Sequence, residues 1–297
     1  MKDVKPDSLH AWLLAARPKT LAAGSVPVLV ASALAGHFGH FQPLPAVLCL
    51  LFALLAQIAS NFSNDYFDFV KKTDNDQRLG PARAVASGWI APRSMLIGTA
   101  LAIALACLFG LGLVYYGGWP MIPLGLVCVL ALLAYTAGPW PLAYHGLGDL
   151  FVLIFFGLVA VAGSFYVQAG TVEPLIIIAG LIVGLPAVNI LVVNNYRDYE
   201  NDRACQKHTS IVLFGRTFGK WFYLGNGIVA VLLCLLFVRE SVWAAGLPLG
   251  YLWLHVRSWR KMCALEAGRG LNVLIGETAR NLLFLGLLFS GGLLLAG

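Results

Sequence analysis

The segment Ala53-Leu54-Leu55-Ala56-Gln57-Ile58-Ala59-Ser60-Asn61-Phe62-Ser63-Asn64-Asp65-Tyr66-Phe67-Asp68 decides how this chain is read. It starts inside an apolar run and ends in a cluster of amides and carboxylates. At about 100° per residue on a helix, Asn61, Asn64, Asp65 and Asp68 fall within about 100° of arc. A second segment, Asn194-Asn195-Tyr196-Arg197-Asp198-Tyr199-Glu200-Asn201-Asp202, also follows an apolar run and repeats Asn-x3-Asp. There Asn194, Asp198 and Asp202 fall within about 80°. Each helix therefore presents a file of carbonyl and carboxylate oxygens. Hard oxygen donors without His or Cys suit Mg²⁺, and Mg²⁺ held by few carboxylates keeps positions for phosphate oxygens. One such run alone reads as a solvated acidic helix end. Its recurrence in a chain with only 14 acidic residues points to chemistry instead.

The flanking apolar runs are typical of the whole chain. Of 297 residues, 59% are hydrophobic and 11% charged, and the mean hydropathy is +0.80, which excludes an ordinary soluble domain. Runs long enough to cross a bilayer recur near 20–36, 44–64, 94–116, 120–136, 149–168, 174–194, 221–238, 242–256 and 281–296. The expected fold class is an all-α integral membrane protein, a bundle of about nine transmembrane helices in a single domain spanning 1–297. The two acidic segments end helices 2 and 6, so a parallel pseudo-repeat of helices 2–5 and 6–9 is expected. Gly180 and Gly184 form a Gly-x3-Gly, a signal for close helix packing.

The basic residues orient the bundle. With the N-terminus in the cytoplasm, Lys2, Lys5, Arg17 and Lys19 fall inside, as do Lys71, Lys72, Arg78, Arg83 and Arg93 after helix 2. So do Arg197, Arg203, Lys207, Arg216 and Lys220, and then Arg257, Arg260, Lys261, Arg269 and Arg280. Of twenty Lys and Arg, Arg239 is the exception. Such asymmetry predicts a multi-pass protein of a bacterial inner membrane, N-terminus cytoplasmic and C-terminus outside. The net charge of +6 then belongs to one face, suited to anionic headgroups and an anionic substrate, with no call for nucleic acid. No cleavable signal peptide is expected, and the six scattered cysteines and six histidines lack metal-ligand spacing.

Carboxylates at the mouth of a membrane bundle are costly and default to function. Beside them lie Lys71, Lys72, Arg78 and Arg83 after the first motif, and Lys207 and Arg216 after the second. Each cation alone is a topogenic charge. Together with metal-binding carboxylates they are what a diphosphate needs. A diphosphate facing an apolar bundle suggests a lipid diphosphate whose allylic C–O bond ionises as diphosphate leaves. Aromatic faces shield the resulting carbocation, and Tyr66, Phe67, Tyr135, Tyr196 and Tyr199 are candidates, read otherwise as an interfacial aromatic belt.

These residues resemble the UbiA superfamily of intramembrane aromatic prenyltransferases, most closely its menaquinone branch. The matching text is Arg17-Pro18-Lys19-Thr20-Leu21, then Asn64-Asp65-Tyr66-Phe67-Asp68 with Lys71, Asp74, Arg78, Gly80-Pro81 and Arg83. It continues through Tyr135-Thr136, Gly146-Leu147-Gly148-Asp149, Asn194-Asn195-x-Arg197-Asp198, Asp202-Arg203 and Lys207-x-Thr209. The resemblance implies a central cavity and Mg²⁺-dependent transfer of a polyprenyl chain from polyprenyl diphosphate to 1,4-dihydroxy-2-naphthoate. Carbon dioxide and diphosphate are lost and demethylmenaquinone is formed. It implies Mg²⁺–diphosphate binding by Asn61, Asp65, Asp68, Asn194, Asp198 and Asp202, with Asp65, Asp68, Asp198 and Asp202 catalytic. Diphosphate contacts fall to Lys71, Arg78, Arg83 and Lys207, and acceptor contacts to Arg17 and Lys19. Asn64, Tyr135 and Asn195 are further substrate-binding positions by the same resemblance. Asp149 reads equally as a helix N-terminal acid or as a group orienting the acceptor.

Two features depart from the superfamily pattern. Asp74 follows Asp68 by six residues where four is common, and Ala137-Gly138-Pro139-Trp140 lacks the usual basic residue. A different acceptor, such as 4-hydroxybenzoate, is the alternative within the superfamily. A cation-coupled transporter is the alternative from another class. Prenyl length and oligomeric state are not encoded in any motif.

Overall fold

The computed structural model describes residues 4–73 and 78–296. Lys2 and Asp74 lie outside the described residues. The framework is helical: α1 (Ala22–His37), α2 (Pro43–Val70), α3 (Pro92–Gly117), α4 (Met121–Ala134), α5 (Gly148–Ala169), α6 (Pro174–Arg197), α7 (Ser210–Phe237), α8 (Leu249–Leu265) and α9 (Leu271–Leu294). Six of these are long and apolar enough to cross a membrane. A seventh crossing counts α1 together with its lead-in, Leu9–Thr20, which meets it at 52°. The count of nine is thus reached only by including α4 and α8, at 14 and 17 residues.

Hydropathy misplaces three boundaries. α7 begins at Ser210 rather than near 221, with a non-helical break at Gly215 (φ 87, ψ 166) inside it, and α9 begins at Leu271 rather than near 281. α8 occupies Leu249–Leu265 rather than 242–256, with Val242–Gly246 a separate turn before Pro248. The first turns of α7 and α9 carry Arg216, Lys220, Glu277 and Arg280, which depress hydropathy, yet Ile211, Gly219, Leu274 and Thr278 on them are buried by neighbouring helices. Charge on one face does not prevent a helix whose other face is packed. Much of the sequence expected as loop in 195–220 and 257–280 is therefore helical.

Position in the bundle follows from which helices shed lipid contact. In α6, 67% of the apolar window is buried, against 22% for α2 and for α3, so α6 is interior. It crosses α5 at the glycines: a Cβ on Gly157 would lie 2.6 Å from the Gly180 carbonyl oxygen and 2.8 Å from the Gly184 Cα. Only hydrogen fits there. α5 carries a π-helical stretch, Leu153–Val159, at this crossing, a widened turn of the kind found near functional sites.

α2 has 28 residues, about 42 Å of helix against a hydrocarbon layer of about 30 Å. The excess length falls at its C-terminal three turns, which carry Asn61 to Asp68. The helix stops at Lys71 and Lys72, the latter left-handed at φ 58. Ahead of α1, Arg17 is also left-handed, at φ 53. Pro18 disfavours helical backbone at the residue before it, and the break turns Arg17 towards α2.

Candidate active site

The first acidic motif is held by a strap, residues 78–85, that folds back over the end of α2. Asp65 accepts hydrogen bonds from the Ala84 and Val85 amides at 3.1 and 2.9 Å, one on each carboxylate oxygen. Asp68 accepts from the Tyr144 hydroxyl at 2.9 Å and faces Arg83 Nη2 at 3.5 Å. Asn61 accepts from Arg17 Nη1 at 3.3 Å and donates to the Ala16 carbonyl at 2.9 Å. Asn64 accepts from the Thr136 hydroxyl at 2.8 Å. The carboxylates are 1% and 5% exposed, and buried acids remain ionised only when donors of this kind are present.

The second motif is built around a buried cation. Arg197, 1% exposed, donates Nε to Asp198 Oδ1 at 2.8 Å and Nη2 to Asp198 Oδ2 at 2.5 Å. Nη2 also donates to Asn194 Oδ1, and Nη1 to Asn272 Oδ1 from α9, both at 2.8 Å. The planar fork of the guanidinium matches this set of oxygens as an ammonium would not. Asp202, in the short helix Tyr199–Ala204, faces Lys207 Nζ at 3.7 Å, while its Oδ2 is buried with no hydrogen-bond partner. Burial pushes the Asp202 carboxyl up to about 6, against the opposing pull of Lys207. For Lys207, burial lowers the ammonium pKa, but Asp202, Asp68 and Asp198 outweigh it and hold the value above the ordinary one.

The two motifs face a common cavity of about 420 Å³. Of the residues expected to act, Asn61, Asn64, Asp65, Asp68, Asn194, Asn195, Arg17, Lys19, Arg78, Arg83, Lys207, Tyr135 and Asp149 line it. Three others stand behind the wall. Lys71 donates to the Thr136 carbonyl at 2.6 Å and lies over the Tyr144 ring at 4.8 Å. Asp198 and Asp202 sit behind Asn194 and Lys207, bound as described. On the opposite wall Asp149 accepts from the Ser210 hydroxyl, and its Oδ1 is buried without a partner. Gln57, Ser60, Phe151 and Phe156 are shared with a second cavity of about 150 Å³, walled by residues such as Phe52, Met121, Leu124 and Phe155. A polar mouth and an apolar chamber thus share a wall.

This geometry agrees with the relatives of the chain. Residues 25–264 match the UbiA prenyltransferase family. The chain belongs to that family. It is 39% identical over 243 residues to the 1,4-dihydroxy-2-naphthoate octaprenyltransferase of Escherichia coli (strain K12), covering 79% of each chain. It is 31% identical over 294 residues, 98% of each chain, to the enzyme of the same name from Mycobacterium leprae (strain TN). Among solved structures, a UbiA homolog from Archaeoglobus fulgidus bound to GPP and Mg²⁺ superposes with a TM-score of 0.64 at 14% identity, over 94% of this chain and 99% of that one. At that identity the likeness speaks for the UbiA fold.

Several residues that complete the site carry no distinct signal in the sequence. Arg197 stands inside the second motif, where a cation next to a metal-binding carboxylate reads as surface charge. Asn272, Ser210, Tyr144 and Thr136 reach the site from elements far away in sequence, at 75, 61, 76 and 72 residues from the partners named above. No local spacing signals them.

Proposed function

We propose that the protein transfers a polyprenyl group from polyprenyl diphosphate to 1,4-dihydroxy-2-naphthoate in menaquinone biosynthesis. The observation that carries this is the mouth, where the oxygen-rich ends of α2 and α6 meet six lining cations (Arg17, Lys19, Arg78, Arg83, Arg197 and Lys207) beside an apolar chamber. The naphthoate relatives supply the acceptor. In this reading Arg78, Arg83 and Lys207 bind the diphosphate, with Lys71 supporting from behind. The prenyl tail runs past Phe151 and Phe156 into the apolar chamber, and Arg17 and Lys19 meet the acceptor carboxylate. Asn64, Tyr135, Asp149 and Asn195 orient the substrates between them.

The donor set fits a divalent cation such as Mg²⁺. Its atoms are oxygens of Asn61, Asp65, Asp68, Asn194, Asp198 and Asp202, and Asp202 Oδ2 is buried without a partner. Among the described residues no three Asp, Glu, His or Cys side chains form a cage for an ion. Mg²⁺ held by few protein oxygens takes water and substrate phosphate as its other ligands. Bound there, the metal would neutralise charge on the leaving diphosphate. The chain's own part is to orient and to exclude water. The allylic C–O bond breaks with its electron pair leaving on diphosphate. The ring carbon bonds to the prenyl carbon, and the carboxylate departs as carbon dioxide. The electron count closes at the hydroquinone.

The protein is further read as a single membrane domain, with helices 2–5 echoed by 6–9. Its site faces the cytoplasm of a bacterial inner membrane, and its C-terminus lies outside. Purified protein in detergent with Mg²⁺, dihydroxynaphthoate and polyprenyl diphosphates of several lengths tests the activity directly, with no ion gradient present. Preferential prenylation of 4-hydroxybenzoate would overturn the acceptor assignment and leave the family.

A further inference from the structure

The strap is fastened at both ends, and its second fastening lies outside both acidic motifs. At its C-terminal end the Ala84 and Val85 amides bond to Asp65. At its N-terminal end Asn272 Nδ2 donates to the Leu79 carbonyl at 2.9 Å, while Asn272 Oδ1 accepts from Arg197 at 2.8 Å. Gly80 lies against the same guanidinium: a Cβ there would be 2.7 Å from Arg197 Nη2 and 3.0 Å from the Arg78 Cζ. Arg197 is buried and held at three oxygens besides that of Asn272, so it cannot retreat cheaply as a free side-chain end would. Arg83 lies between these points and Arg78 directly precedes the first; both line the mouth.

We propose that Asn272 is a positioning residue: through its paired bonds to Leu79 and Arg197 it latches the strap to the second acidic motif and so presents Arg78 and Arg83 to the diphosphate. A side-chain amide is suited to this, since its carbonyl meets the guanidinium and its NH₂ meets a main-chain oxygen. Asn272 also lines the mouth, so the rate of strap cleavage, which a direct contact with substrate would not move, separates the latch from donor binding by residue 272 itself. The inference rests on the prenyl diphosphate reading above, and it predicts an effect on the donor and not on the acceptor.

Three variants test it. Asn272→Ala removes both bonds, Asn272→Asp keeps the acceptor for Arg197 but loses the donor to Leu79, and Gly80→Ala presses on the latch from the strap side. The measurements are apparent KM for each substrate and the rate of tryptic cleavage after Arg78 and Arg83 in purified protein. For Asn272→Ala the expected rise in KM for the prenyl diphosphate is about threefold to tenfold, the equivalent of one or two hydrogen bonds. The KM for the naphthoate stays within about twofold. Tryptic cleavage accelerates, since it follows the population of the opened strap. Asn272→Asp and Gly80→Ala move the same two readouts in the same direction. An equal rise in both KM values, or unchanged KM and unchanged cleavage, overturns the latch. Should Asn272→Ala fail to fold, Asn272→Asp and Gly80→Ala decide the question. Failure of the wild type to prenylate dihydroxynaphthoate would sink the functional reading alone. Cleavage rates, and protection from cleavage by inorganic diphosphate with Mg²⁺, would still report on the latch.

Discussion

The ends of α2 and α6 carry the same Asn-x3-Asp spacing and are stabilised in opposite ways. Asp65 is held by two neutral main-chain amides and Asp68 by a phenol at 2.9 Å with an arginine farther off. Asp198 is instead clasped by a buried guanidinium that also takes Asn194. A carboxylate bonded to amides has lone pairs left over for an incoming cation. One paired with arginine has both oxygens engaged already, so an incoming cation must share Asp198 with Arg197. Identical spacing places oxygens on a face, and what meets that face decides how each one behaves.

The sharpest way to break the comparison is to remove one charge from each motif. Asp65→Asn and Asp198→Asn are each expected to lower turnover by at least ~10² at saturating Mg²⁺, several kcal/mol of transition-state stabilisation. The protein should still insert, as shown by its yield in washed membranes. Near-normal turnover in either variant would remove that motif from the chemistry.

The stability of the two should then diverge. Arg197→Met strands the Asp198 carboxylate in a buried position, which costs about 3–5 kcal/mol. Arg83→Met removes a longer contact of 3.5 Å to an acid that retains the Tyr144 hydroxyl, and should cost less than Arg197→Met. Thermal unfolding in detergent separates them. Equal losses would mean that the two motifs are stabilised alike after all.

Arg17 tests the division of labour between donor and acceptor. Arg17→Ala should raise the requirement for the naphthoate about 10–150-fold, the equivalent of roughly 1.5–3 kcal/mol for a charge-assisted contact. The requirement for the prenyl diphosphate should change much less. Equal weakening would place Arg17 with the diphosphate cations.

The smallest effect is expected in the apolar chamber. Gly125 lines it, and a Cβ there meets nothing within 4 Å. Gly125→Leu should fill space without straining the backbone, so total activity with short donors holds and the product distribution moves to shorter chains. Unchanged chain-length preference, measured by mass spectrometry, would exclude this chamber as the path of the tail.

Much of this molecule was legible in its residues because membrane burial leaves a coarse signal. A run of apolar residues long enough to span hydrocarbon has few other uses, so α2, α3, α5 and α6 fall close to where hydropathy puts them. α7 and α9 began a dozen or so residues earlier than expected. Hydropathy sums over a whole turn, whereas packing concerns one face, and Arg216 and Glu277 conceal the buried Gly219 and Thr278 beside them.

By itself the sequence determined the all-helical membrane class, the two oxygen-bearing helix ends and most of the charged residues that line the mouth. Those properties depend on spacing along one helix, where period and composition are sufficient. Only the tertiary structure decided that Asp65 is served by the strap's amides and that Asp198 is clasped by Arg197. The same is true of the place of Lys71 behind the wall and of the tie between Asn272 and Leu79 across 193 residues. A buried polar group must find a partner wherever the chain can bring one. That partner is chosen by how helices far apart in sequence pack, which no local pattern records.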